Sequence, residues 1–155
     1  MEATFKNHFK YEFVNNPDAD NELNFVAESG KLSRAPGRVL DEAIRAAKLI
    51  RKKARRKKLN ICLSSGIDSQ AMLQAFYESG VKFSAKVLVY NNSFNDFDTQ
   101  EIIAKCRSLN IEPEIISLSI LDFYEQGQHL VYGKKYRCQS PQLAVHLWLA
   151  EQFAK

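Results

Sequence analysis

The spacing of apolar residues changes character along this chain. Up to residue 35 it is short-ranged. Phe9–Val14 alternates apolar and polar side chains enough for a strand, and Leu23–Ser29 reads as a second one. Between them, Asn15–Glu22 is a turn by composition. Residues 1–35 therefore predict a hairpin-like extension, and Ser29–Gly37 reads as a linker. From Pro36, which suits a first helical turn, Leu40, Ala43, Ile44, Ala47, Ile50 and Ala54 recur at helical spacing. They form one narrow apolar stripe. The other faces are basic, and the block ends in Arg51–Lys58, "RKKARRKK". Cations late in a helix suit its negative end.

Strand and helix signals then alternate. Leu59–Leu63 is a short apolar run, and Ser69–Ser79 carries Met72, Leu73, Phe76 and Tyr77 at helical spacing before Gly80. Lys82–Tyr90 is a second strand, Thr99–Leu109 a helix, and Pro113–Ser119 a third strand. Leu121–Tyr124 starts a short helix, Gly127–Ser140 reads as a loop, and Ser140-Pro141 opens a strongly apolar helix. This order predicts βαβ units: an α/β domain over residues 36–155, with a small, mostly parallel sheet and flanking helices. Three strands leave sheet edges to be covered by the N-terminal strands, by a further segment of a longer protein, or by an oligomer.

Composition narrows the classes. The chain has 155 residues, about one domain's worth. No apolar run approaches the roughly 18 residues of a membrane helix. The N-terminal stretch has no apolar core of a secretory signal. Cys62, Cys106 and Cys138 lie far apart, with no metal spacing and no disulfide framework, so the expected compartment is the reducing cytoplasm. The net charge of +4 is a local property. Residues 38–58 hold ten basic and two acidic side chains, net +8, whereas residues 1–37 and 59–155 are each net −2. The basic block is either a solvated helix face or a contact for a polyanion such as nucleic acid. It contains no aromatic residue for base stacking.

The densest chemistry lies in Ser64-Ser65-Gly66-Ile67-Asp68-Ser69. A buried strand breaks there into three hydroxyls, a glycine and an acid, and then into a helix. Ligands of open parallel sheets sit at the carboxyl ends of the strands, where the next helix offers unpaired N–H groups. Gly66 permits close approach and unusual dihedrals. Asp68 suits a cation that bridges to phosphate, or a helix cap. Neither GxxxxGK[ST] nor GxGxxG is present, and a serine-hydrolase elbow would need GxSxG. An ordinary capped strand-to-helix turn is the plain alternative.

Ser64–Ser69 resembles the SGGxDS signature of the PP-loop ATP pyrophosphatases, the adenine nucleotide alpha-hydrolase-like group, which includes asparagine synthetase and 7-cyano-7-deazaguanine synthase types. The element order over residues 59–155 is also similar. The resemblance implies a Rossmann-like fold of the HUP class, in truncated or minimal form, because the later acidic, glycine-containing motif of asparagine-synthetase-like members does not follow Trp148. It further implies an AMP-forming ligase or synthetase. Ser64, Ser65, Gly66, Asp68 and Ser69 would cradle the pyrophosphate of ATP, with Asp68 near Mg²⁺ and Asp68 and Ser69 catalytic. Val89, Tyr90 and Asn91 would lie beside the adenine. Ser65 stands where the signature has a glycine, and Gln70 where Ser or Thr is common.

Lys134, Lys135 and Arg137, just before a helix start, suit an anion or substrate loop, or are a plain basic loop. Cys138 reads as structural, with a reactive thiol as the sharper alternative, and Cys62 as core. His8, His129 and His146 show no ligand spacing. Trp148 and Phe153 read as core. Asp96, Asp98 and Glu101 are explained equally by a second acidic site or by a polar loop entering a helix. The leading expectation is an ATP–Mg²⁺ enzyme that adenylates an acceptor for amide or nitrile formation. The rivals are a non-catalytic nucleotide- or nucleic-acid-binding module and a PAPS-reductase-like protein.

Overall fold

The computed structural model describes residues 9–11, 25–27, 34–138 and 140–153. Two short strands, β1 (Phe9–Tyr11) and β2 (Phe25–Ala27), pair antiparallel with Phe9 opposite Ala27. They fall in a unit that spans Met1–Gly37, and Arg38–Lys155 makes a second unit. The turn expected at Asn15–Glu22 lies outside the described residues.

The second unit begins with α1 (Val39–Ala54), three residues later than Pro36 suggests. Arg38 is extended, with ψ 150°, so the helix cannot start before it. Asp41 and Glu42 sit in its first turn and Arg51–Lys53 in its last, matching the helix dipole. Next come β3 (Asn60–Leu63), α2 (Ile67–Glu78), β4 (Ser84–Tyr90), α3 (Asp96–Ser108), β5 (Glu114–Leu118) and α4 (Ile120–Glu125). The last two helices are α5 (Gln128–Tyr136) and α6 (Pro141–Glu151). The fold is α/β, with an open three-stranded parallel sheet in the order β3-β4-β5 and six helices among the described residues. Leu63 lies opposite Val87, and Val87 opposite Ile115.

Period-two alternation divides the sheet into two faces. Ile61, Leu63, Ala85 and Val87 bury one face against Ala47 of α1, Leu73 and Phe76 of α2, and Ile102 and Cys106 of α3. On the other face Leu88 and Tyr90 meet Leu118, Phe123, Ala144, Val145 and Trp148. That second layer reaches only part of the sheet. Cys62, on the edge strand β3, is exposed rather than core. Burial still pushes its thiol pKa up, opposed by the charge of Lys86. Lys86 itself is 2% exposed on the central strand. Its ammonium pairs with Glu114 on β5 and lies 4.9 Å from the Phe153 ring centroid.

The stretch from Gly127 to Ser140 is the clearest departure from the sequence pattern. It reads as a loop, yet residues 128–136 form α5. Tertiary contacts decide this. Tyr132, Lys135 and Tyr136 all converge on the Glu151 carboxylate of α6. Tyr132 also packs on Phe123, with ring centroids 6.1 Å apart. The apolar stripe expected on α1 is half realised: Ala47 is buried, but Leu40 and Ile50 are exposed.

Candidate functional site

β3 ends where its inward side chains run out. Leu63 is buried, and the chain then turns through Ser64, Ser65 and Gly66 into α2. Parallel pairing with Leu63 opposite Val87 sets this turn beside Leu88–Tyr90, the carboxyl end of β4. Ser64 Oγ lies 3.1 Å from Ser69 Oγ and accepts from the Gly66 N–H at 3.4 Å. Gly66 is the N-cap of α2, and no side chain among the described residues caps the helix. The first-turn N–H groups of α2, which have no intrahelical acceptor, are left open. Gly66 has φ −58°, a value open to any residue, and an added Cβ would meet only Ser64 Oγ at 3.4 Å. The unusual dihedral expected of this glycine is therefore not present.

The three serines play different parts. Ser64 and Ser69 are joined through their hydroxyls. The Ser65 hydroxyl is enclosed and has no hydrogen-bond partner among the described residues, while its carbonyl accepts from Gln70 Nε2 at 2.8 Å. Gln70 Nε2 also lies 3.3 Å from Glu101 on α3. Gln70 thus ties the turn to its own helix and toward the next one. Asp68 is exposed in the first turn of α2, with no ion pair or hydrogen bond among the described residues. Among those residues no three His, Cys, Asp or Glu side chains cluster for a metal, so Asp96, Asp98 and Glu101 do not gather into a three-carboxylate metal site.

At the end of β4, Val89 packs on the first core cluster and Tyr90 on the second. Burial raises the Tyr90 pKa, helped by the nearby Tyr124 hydroxyl. Asn91 is exposed and its N–H donates to the Leu118 carbonyl. Asn95 fixes this loop: its Oδ1 accepts from the Tyr90 N–H at 2.8 Å and its Nδ2 donates to the Leu88 carbonyl at 2.9 Å. Beyond it, Phe94 and Phe97 are 63% and 86% exposed. The sequence reading passed over Asn95, although an Asn within a polar run after a strand is a signal for such a side-chain-to-backbone turn.

The three cations expected to act together are separated. Lys135 is engaged by Glu151, whose pKa falls to about 2 because Lys135, Tyr136 and Tyr132 all hydrogen-bond to its charged form. Arg137 ends α5 in a left-handed conformation, φ 51°. Lys134 faces a cavity with His129 and Cys138. In the basic block, Arg51 is turned onto its own chain, donating to the Arg55 and Lys57 carbonyls. Lys52, Lys53, Arg55, Arg56 and Lys57 are exposed, without an acidic partner among the described residues. Among those residues no helix is long and apolar enough to cross a membrane. Comparison with family models, with curated proteins and with solved structures finds no match for this chain.

Proposed function

We propose that this chain binds ATP at the Ser64–Ser69 turn and transfers its adenylyl group to an acceptor oxygen, releasing pyrophosphate. The observation that carries this reading is the uncapped start of α2 beside the paired Ser64 and Ser69 hydroxyls, at the carboxyl end of a parallel strand. In the proposed reaction a carbonyl, carboxylate or amide oxygen attacks the α-phosphorus. The bridging P–O bond to the β-phosphorus breaks, and the electron pair leaves with pyrophosphate. The first-turn N–H groups and the two hydroxyls hold that growing charge, which fixed donors do without reorganisation. Gly66 lets the phosphates approach the backbone. An amine then displaces AMP from an adenylated carboxylate to give an amide, or an adenylated amide loses AMP and a proton to give a nitrile; a sulfur donor would give the thio product instead. Val89–Asn91 would flank the adenine.

Asp68 fits a magnesium ion: its carboxylate is exposed and unpartnered among the described residues, and magnesium is commonly held by one or two carboxylates plus phosphate oxygens. When bound, the ion supplies charge neutralisation on the leaving group. Three free thiols support a reducing cytoplasmic setting. The outer edge of β3 has no strand partner among the described residues, which supports a partner strand from a further segment or a second copy.

Calorimetry with Mg–ATP tests binding, and substrate-dependent ATP–pyrophosphate exchange tests chemistry. Ser69→Ala is expected to weaken binding roughly tenfold, the worth of a hydrogen bond to a charged group. Asp68→Asn is expected to abolish exchange. Absence of any binding heat would overturn the proposal, and a preference for PAPS over ATP would turn it toward a PAPS-reductase-like protein.

A second reading rests on the five exposed, uncompensated cations of Lys52–Lys57: a non-catalytic module that grips a nucleic-acid backbone. Anisotropy titrations with an oligonucleotide at several salt concentrations test it. A steep fall of affinity with salt is expected, and a flat profile would remove this reading.

A further inference from the structure

A cavity of about 390 Å³ lies between α5 and the start of α6, outside the serine turn. That volume falls in the range of small-molecule sites. Leu130, Gly133 and Pro141 give it an apolar wall, and Lys134, His129 and Cys138 bring three chemically active side chains to it. Among the described residues no carboxylate lines it. Helical spacing separates the two cations of α5. Lys135 shares a face with Tyr132 and Tyr136 and goes to Glu151, whereas Lys134 points away from that face and has no acidic partner among the described residues. His129 leans on Tyr124, ring centroids 5.1 Å apart; its Nδ1 is enclosed, without a hydrogen-bond partner among the described residues, and does not open into the cavity.

The cavity is built rather than incidental. The chain reverses sharply after α5: the Cys138 N–H donates to the Gly133 carbonyl at 2.8 Å. A Cβ at Gly133 would stand 2.8 Å from the Cys138 carbonyl oxygen, so this close return needs the glycine. The Cys138 thiol is held at the rim, donating to the Ser140 carbonyl at 3.4 Å.

We propose that this cavity is a binding site for a small organic carboxylate. Lys134, the one cation lining the cavity without an acidic partner among the described residues, matches a single negative charge, and the walls of Leu130 and Pro141 match an apolar body. A dianionic phosphate would require more donors than Lys134 and one imidazole provide, and Lys135 is already committed. The inference stands apart from the nucleotide reading, because no residue of the Ser64–Ser69 turn lines the cavity.

Cys138 makes the site testable with two reagents of nearly equal size, iodoacetate and iodoacetamide, on the native full-length chain. With either, the thiolate forms a C–S bond as iodide leaves, and the thiol proton goes to water. The ratio of the two rates at one sulfur cancels its thiolate fraction and its access. Exposed Cys62 is the internal reference, and labelling of buried Cys106 would report unfolding. Peptide mass spectrometry is expected to show an iodoacetate-to-iodoacetamide ratio about two- to fivefold higher at Cys138 than at Cys62, the worth of a partly exposed charge pair. The iodoacetate rate at Cys138 is expected to saturate with concentration. Lys134→Gln is expected to remove both the excess and the saturation, read as the ratio within each protein so that any change in thiolate fraction cancels. Equal ratios at the two cysteines, a linear concentration dependence, or a preference that survives Lys134→Gln would each overturn the site.

Discussion

Gln70 offers the sharpest test of how the serine turn is held. Its Nε2 donates to the Ser65 carbonyl at 2.8 Å, a good hydrogen bond that closes the turn back onto α2. The second contact, to Glu101 at 3.3 Å, is long and exposed and adds little to stability. Gln70→Ala removes both. The first is worth about 1 kcal/mol net, and not the larger penalty of a fully buried orphan, because the bond is only part-buried. For a unit of this size that loss lowers the melting temperature by about 3–5 °C. The freed turn also holds Ser64 and the α2 N-terminus less firmly, so Mg–ATP affinity is expected to fall a few-fold. Gln70→Glu is expected to be worse on both counts. It cannot donate to the carbonyl, and its charge faces Glu101 and would oppose the phosphates of the proposed nucleotide. Urea unfolding and calorimetry on the same variants read both effects. If Gln70→Ala leaves the unfolding midpoint and the affinity unchanged, Gln70 does not brace the turn, and the reasoning fails.

Other expectations follow from particular contacts. Lys86→Met should change stability by less than about 1 kcal/mol, since a buried charge replaced by an apolar side chain of similar volume is often neutral. Glu114→Gln should cost more in the same unfolding assay, because it leaves the Lys86 ammonium enclosed without its counter-charge. The α5–α6 contact should be acid-sensitive. Glu151 has a folded pKa of about 2, below the ordinary 4.5, so its contribution is complete above pH 4.5 and is lost as pH falls toward 2. Near-ultraviolet circular dichroism from Tyr132, Tyr136 and Trp148 should follow that loss, and a signal constant down to pH 2 would refute it. Arg55 has φ 50° and ψ −113°, a strained conformation for a residue with a Cβ. Arg55→Gly should raise stability by about 1 kcal/mol. If the basic turn binds nucleic acid, the same change should reduce the salt slope by about one.

The α/β order of the second unit was legible because its strands are short apolar runs and its first helices carry apolar residues at helical spacing. Local patterning fixes those elements before any packing. The serine turn was equally legible, since hydroxyls, glycine and acid crowd the end of an apolar strand. Other features depended on neighbours distant in sequence. Gly127–Ser140 looks like a loop because Gly133 and adjacent polar residues weaken its period, and it becomes a helix only because Glu151 and Phe123 supply partners for its tyrosines. Cys62 looks like core because its neighbours in sequence are apolar, yet edge position leaves its face uncovered. Gln70 is an unremarkable residue in the chain, and the folded turn makes it the donor to Ser65. The Lys134–Lys135 pair shows the same division. Sequence alone placed two adjacent positive charges before a helix. Tertiary structure sent one to Glu151 and the other to a cavity with His129 and Cys138, because adjacent residues on a helix point about 100° apart and meet different surroundings.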